Sequence, residues 1–278
     1  MTPKKLKYSN HPQKFDNPDP KLQKEWEDLK EVLCDNEYMM GYKIMVGQKI
    51  NFSTVWNILT TKHTDTSNIY SHLIFGFFFT YRAFAFNSKF ELILVNLLCA
   101  LTFFMSAFYH TFRNYSRRWY DLCLTLDVSG IGIQIFAYLI TDTINFFKDD
   151  HPDLMRNYLI FFCILFVVSL VSVPFILKYK LYFWRTFMFT IISMLCIPLI
   201  MHHIWLCNGI DEKLRRFLPL RAAIFFWQGV GLCFRSSHIP ERFFPRTIFQ
   251  YVFHSHFWFH IAGSVGSYFG CLSCEVYR

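Results

Sequence analysis

Charge is scarce in this chain. Asp, Glu, Lys and Arg make up only 17% of its 278 residues, against roughly a quarter in an average soluble domain. With 53% apolar residues beside so little charge, an ordinary soluble enzyme, a disordered chain and a collagen-like chain are all excluded. The first 32 residues are polar, rich in Pro, Lys and Glu, and no apolar run follows the start. No cleavable signal peptide is therefore expected. A concentrated basic patch is also lacking: the net charge is +8, but its Lys and Arg are dispersed among apolar segments. Nucleic-acid binding is thus not expected, and attraction to anionic lipid headgroups is the better reading. The nine Cys sit mostly inside apolar runs, where a thiol acts as a small hydrophobe. The CxxC of Cys271 and Cys274 at the chain end is weak evidence for metal.

What is abundant is aromatic and aliphatic surface. There are 34 Phe, more than the 28 Lys and Arg together. Such an excess needs a second apolar phase, which a bilayer supplies. Residues 1–32 read as a flexible polar tail. Residues 33–68 read as a pre-membrane segment in which Phe52–Leu59 (FSTVWNIL) forms an interfacial amphipathic helix. Residues 69–275 hold seven apolar segments, at about 69–87, 91–112, 120–145, 157–177, 182–205, 217–235 and 248–273. Each can span, since roughly 20 residues at 1.5 Å cover about 30 Å. The fold expected is an all-α membrane protein, a seven-transmembrane helix bundle. Lys and Arg balance evenly between its two faces, so the positive-inside rule does not decide the orientation. The missing signal peptide, the basic tail and the acid-rich odd loops place the N-terminus in the cytosol.

Ionisable residues within spans are functional candidates by default. The second segment ends SAFYH, with Ser106 and His110 one turn apart. The third contains Asp127 in LTLDVSGIG. The seventh opens HSHFWFH, and its His256 and His260 share one helix face at i, i+4. In an alternating bundle the end of segment two and the starts of three and seven lie at the same face. These residues therefore fall in one layer, although nothing in the segment count requires it. Three imidazoles, His110, His256 and His260, make an open tetrahedral Zn2+ site. Zinc there lowers the pKa of water to about 7, which suits hydrolysis of an amide or ester. Asp127 is placed to take the proton and Ser106 to assist. His72, at the start of segment one, faces the same side as a packing or supporting residue, whereas His254 lies about 100° off the His256/His260 face.

HTDTSNIYSHL (63–73), SAFYH (106–110), LDVSG (126–130), SHIPERFFP (237–245) and HSHFWFH (254–260) resemble the progestin and adipoQ receptor family, which is haemolysin III-related; CDNEYMMGY (34–42) is similar to its adiponectin-receptor-like branch. The resemblance implies seven spans with a cytosolic N-terminus and an outer C-terminus. It implies zinc on His110, His256 and His260, with Asp127 and Ser106 as the acidic and hydroxyl residues of the site. Asp65 stands where the family usually has Glu, Arg246 where it has Gly, and Gln250 where an acid is common. Members are described as receptors for adiponectin or steroids, as regulators of lipid and zinc homeostasis, and some as slow ceramidases. The partners implied are membrane lipids, such as a ceramide or fatty acid inside the bundle, and an extracellular protein or steroid ligand; a homo-oligomer is also allowed for. The expected location is the plasma membrane or an endomembrane. A lipid amide hydrolase and a lipid sensor or receptor with a purely structural zinc both stay open at this level. A cation transporter is disfavoured, because no second ionisable layer is visible to pass an ion across.

Overall fold

A computed structural model describes residues 19–277 except 35, 40, 87, 88 and 246. Most of the polar tail, and the Arg246 and Arg278 positions, lie outside the described residues. Ten α-helices and one short 3₁₀ turn make up the fold, with no strand among the described residues. The helices are α1 (Pro20–Leu33), α2 (Phe52–Thr60), α3 (Thr66–Ala85), α4 (Phe90–Phe112), α5 (Arg117–Phe147), α6 (Pro152–Lys178), α7 (Tyr182–Met194), α8 (Cys196–Leu206), α9 (Glu212–Ser237) and α10 (Ser255–Glu275).

Residues 20–32 are helical rather than a flexible tail. Asp19 caps the helix through the Lys21 N–H at 2.9 Å, and Leu29 and Leu33 are fully buried. They pack with Ile44 and Val46, so the polar composition conceals a single apolar edge. The FSTVWNIL stretch does form a helix, closed by a reciprocal capping box between Asn51 and Thr54. Its Ile58 is buried, while Phe52 and Trp56 stack on each other in the open.

Among the described residues, five stretches are long and apolar enough to cross a membrane: Phe90–Phe112, Arg117–Phe147, Pro152–Lys178, Tyr182–Leu206 and Glu212–Ser237. The fourth is broken at Leu195. Pro198 offers no N–H and its ring clashes with the carbonyl four residues back, that of Met194, where α7 stops. The outward face of α6 presents Ile164, Val167, Val168 and Val171, each more than half exposed, as a lipid-facing helix does. The last segment starts later than expected. Ile248–Gln250 is a 3₁₀ turn, Phe253 takes a left-handed φ of 60°, and α10 begins only at Ser255. An apolar run shows where burial is possible; the cap decides where the helix starts.

The long α5 is the hub, packing against α4, α6, α7, α8 and α10. α10 packs along α9 and touches α3, α4 and α5. In lipid, helices associate through close packing and interhelical hydrogen bonds rather than through the hydrophobic effect. Gly231 permits the α9–α10 approach: a Cβ there would lie 3.2 Å from the Phe259 carbonyl oxygen. Thr102 Oγ1 donates to the Gly130 carbonyl at 2.9 Å, and Tyr138 Oη to the Ser267 carbonyl at 3.0 Å. α9 joins the α5/α7/α8 cluster at its first turns, through Leu214 and Phe217, while the backbones of α7 and α9 stay apart. Between them a cavity of about 860 Å³ runs into the bundle.

Candidate metal centre and its cavity

The residues expected in one layer are brought together. The His256 and His260 rings lie 4.4 Å apart between centroids, and His110 sits 5.3 Å from each. His72 of α3 joins them, 4.0 Å from His260 and 5.7 Å from His110. Among the described residues, His72, His110 and His260 form a trio with metal-ligating capacity, whose ligand atoms all fall within 4.8 Å of one another. His256 abuts this trio and lines the cavity. Ser106 Oγ is 3.0 Å from His72 Nε2. Asp127 faces the cavity from α5.

The tautomers follow from the partners. His110 Nδ1 donates to Asp65 Oδ1 at 2.7 Å, so Nε2 carries a bare lone pair. That nitrogen is buried and takes no hydrogen bond; the same holds for His260 Nε2 and His72 Nδ1. Buried imidazole nitrogens without partners are what a metal requires, and a carboxylate behind the ligand is the usual support. The donor set therefore fits a metal held by nitrogen.

Asp65 is the main residue that residue-by-residue reading missed as part of the site. It precedes α3 and is 1% exposed. Arg113 grips it in a fork, Nε to Oδ2 at 3.1 Å and Nη2 to Oδ1 at 2.9 Å. Burial acts to raise the Asp65 pKa, but the Arg113 guanidinium and His110 outweigh it and hold the carboxyl well below the usual carboxylate range. The only sequence signal was its place in HTDTSN. Nothing in the spacing joins it to a histidine 45 residues away.

His254 is not a bystander either. It is the N-cap of α10: its Nδ1 accepts from the Phe257 N–H at 3.2 Å, and its Nε2 donates to the Thr64 carbonyl at 3.0 Å. Burial pushes its imidazole down to about 4, which keeps Nδ1 an acceptor at neutral pH. Glu241, from the IPERFF stretch, is buried at the same helix start. It accepts from the Ser255 N–H at 2.7 Å and from Asn36 Nδ2 at 3.0 Å, and it also bonds the Ser255 hydroxyl. A carboxylate is favoured at a helix N-terminus. Here it fixes where the turn carrying His256 begins. Glu241→Ala is expected to cost roughly 1.5–3 kcal/mol, the range for hydrogen bonds to a charged group. Thermal unfolding in detergent checks this, and Glu241→Gln should recover part of the loss.

His202 and His203, at the other end of the bundle, are packing residues. Tyr158 Oη lies 2.7 Å from His202 Nδ1, and His203 stacks on Phe146 at 4.5 Å.

The profile of a family described as haemolysin-III related matches residues 60–271, which contain all four clustered histidines, Asp65, Ser106 and Asp127. The chain is 27% identical over 252 residues to an uncharacterized protein of Schizosaccharomyces pombe. That likeness covers 84% of this chain and 54% of the relative, so the chain spans about half the length of the curated protein it matches. This chain, an integral membrane protein with a buried histidine cluster able to hold a metal ion, belongs to the haemolysin-III-related family, that of the progestin and adipoQ receptor-like proteins.

Proposed function

We propose that the protein is a seven-span, zinc-binding membrane protein of the adiponectin-receptor-like type that hydrolyses a lipid amide such as a ceramide inside the bundle. α3 and α10, at 20 and 21 residues, complete the seven spans at roughly 30 Å each, with α7 and α8 counted as one. Zinc would be held by His110, His256 and His260. His72 is assigned the supporting place, its Nε2 engaged by Ser106, but its buried Nδ1 has no partner and makes it the alternative third ligand. His256 has no hydrogen-bond partner among the described residues. Bound zinc would supply a Lewis acid and a neutral-pH nucleophile.

The observation that carries this reading is the cavity. One hollow of about 860 Å³ is lined by His256, His260 and Asp127 and continues along apolar residues such as Ile131, Phe189 and Phe225. Its size is that of a site for a ligand larger than a metal ion. Asp127 would take a proton from the attacking water, and the Ser106 hydroxyl would hold its carboxylate in place. The gap between α7 and α9 would admit an acyl chain sideways from the lipid.

Purified protein incubated with ceramide should release fatty acid and contain about one zinc per chain. His256→Ala combined with His260→Ala should lose the metal. It should also lower thermal stability, since the ion joins elements far apart in sequence. Full metal content in that variant would rule out the ligand assignment. The reading also places residues 1–68 in the cytosol and the C-terminus outside. Terminal tags probed in intact and permeabilised cells test this; an N-terminal tag reached in intact cells reverses the orientation.

A further inference from the structure

The cavity has a second polar end. Asp142 of α5 and Arg221 of α9 form a buried ion pair, through Arg221 Nη2 and Asp142 Oδ1, and both line the same hollow as the histidine cluster. They are 0% and 5% exposed. The pairing leaves one atom of each group unused: Asp142 Oδ2 and Arg221 Nε are buried without a partner. Charged groups this deep in a span are costly, so an unsatisfied pair points to a ligand. The sequence shows no such layer, because Asp142 and Arg221 lie 79 residues apart.

A polar strip leads toward this pair. Asp127, Gln134, Tyr138 and Asp142 recur at intervals of seven, four and four, along one face of α5. Gln134 Nε2 donates to Tyr138 Oη at 3.0 Å, and the Arg221 guanidinium sits over the Tyr138 ring at 5.4 Å. From Asp127 to Asp142 the helix rises roughly 22 Å, fifteen residues at 1.5 Å each, the reach of an extended long-chain acid. The stretch between is flanked by apolar side chains, including Ile131, Ile135 and Leu139.

The free atoms define the chemistry. Oδ2 accepts and Nε–H donates, so the complementary group is one that does both without carrying charge. A hydroxyl fits: its O–H donates to Asp142 Oδ2 and its oxygen accepts from Arg221 Nε. We propose that the Asp142–Arg221 pair is a binding site for a hydroxyl at the far end of a long-chain acyl ligand, so that the cavity selects chains polar at both ends. The proposal rests on the reading of the cavity as a lipid site. A site built to hydrogen-bond a hydroxyl discriminates strongly against a chain lacking it, because its own buried groups are then left unpaired.

The test is competition for labelled palmitic acid bound to the full chain in nanodiscs. Unlabelled palmitic acid is compared with its ω-hydroxy derivative. The ω-hydroxy acid should compete about tenfold or more better. Asp142→Leu combined with Arg221→Met replaces the pair with apolar groups of similar size, an exchange buried ion pairs often tolerate. That variant should still bind labelled palmitic acid but prefer neither competitor by more than about twofold. Equal competition at the native protein overturns the proposal, as does a preference that survives in the double variant. If labelled palmitic acid does not bind the native protein at all, the lipid-cavity reading itself falls and takes this site with it.

Discussion

Asp65→Asn is expected to destabilise the protein by about 3–5 kcal/mol, the cost of removing one partner from a buried ion pair, and to weaken metal binding about 10–100-fold. Two effects combine. Arg113 loses the carboxylate that neutralises it in a buried position. His110 loses the charged acceptor that holds its Nδ1 proton and turns the bare Nε2 toward the cluster. Asparagine keeps the shape and can accept one hydrogen bond, but it brings no negative charge. A second variant separates the effects. Asp65→Leu with Arg113→Leu removes both charges together, so much of the stability should return. Metal affinity should stay low, because His110 still lacks its acceptor. Thermal unfolding and metal content, measured on the same preparations, read the two outcomes. If the double variant recovers metal along with stability, Asp65 serves Arg113 and not the histidine.

Asp127→Asn is expected to leave the metal in place and abolish lipid amide hydrolysis. On the proposed assignment three imidazoles already supply the protein ligands. Asp127 stands beside them, facing the cavity where a substrate would lie. Asparagine preserves the size and can still form hydrogen bonds, yet it cannot take a proton. Losing a general base typically costs about 10²–10⁴-fold in rate. The measurement is fatty-acid release from ceramide by native and variant protein with matched zinc content. Loss of zinc in the variant would make Asp127 a ligand or an essential support. Absence of release by native protein would return the metal to a structural role and favour the sensor or receptor reading.

The seven apolar segments and their order came from composition and length, because burial in lipid is written locally as a run of apolar residues. The layer of His110, His256, His260, Ser106 and Asp127 was equally legible. Alternating direction along successive helices fixes depth, and a helix period of 3.6 puts residues four apart on one face. Their common depth in the bundle follows from those two regularities.

The rest depended on which helix faces which. His72 was visible as a residue near the right depth, but only the packing of α3 against α4 and α10 set its ring 4.0 Å from His260. The late start of α10 was set by the cap of His254 and the reach of Glu241 to Ser255, contacts between segments that a hydropathy pattern does not register. Asp65 with His110 and Arg113, and Asp142 with Arg221, are pairings across 45, 48 and 79 residues. Each of these residues alone is an isolated polar side chain in or beside an apolar run. A charge in low dielectric must find a partner, but the sequence does not say which one. Periodicity determined the depth of each group in this protein, and tertiary packing chose its partner and thereby its chemistry.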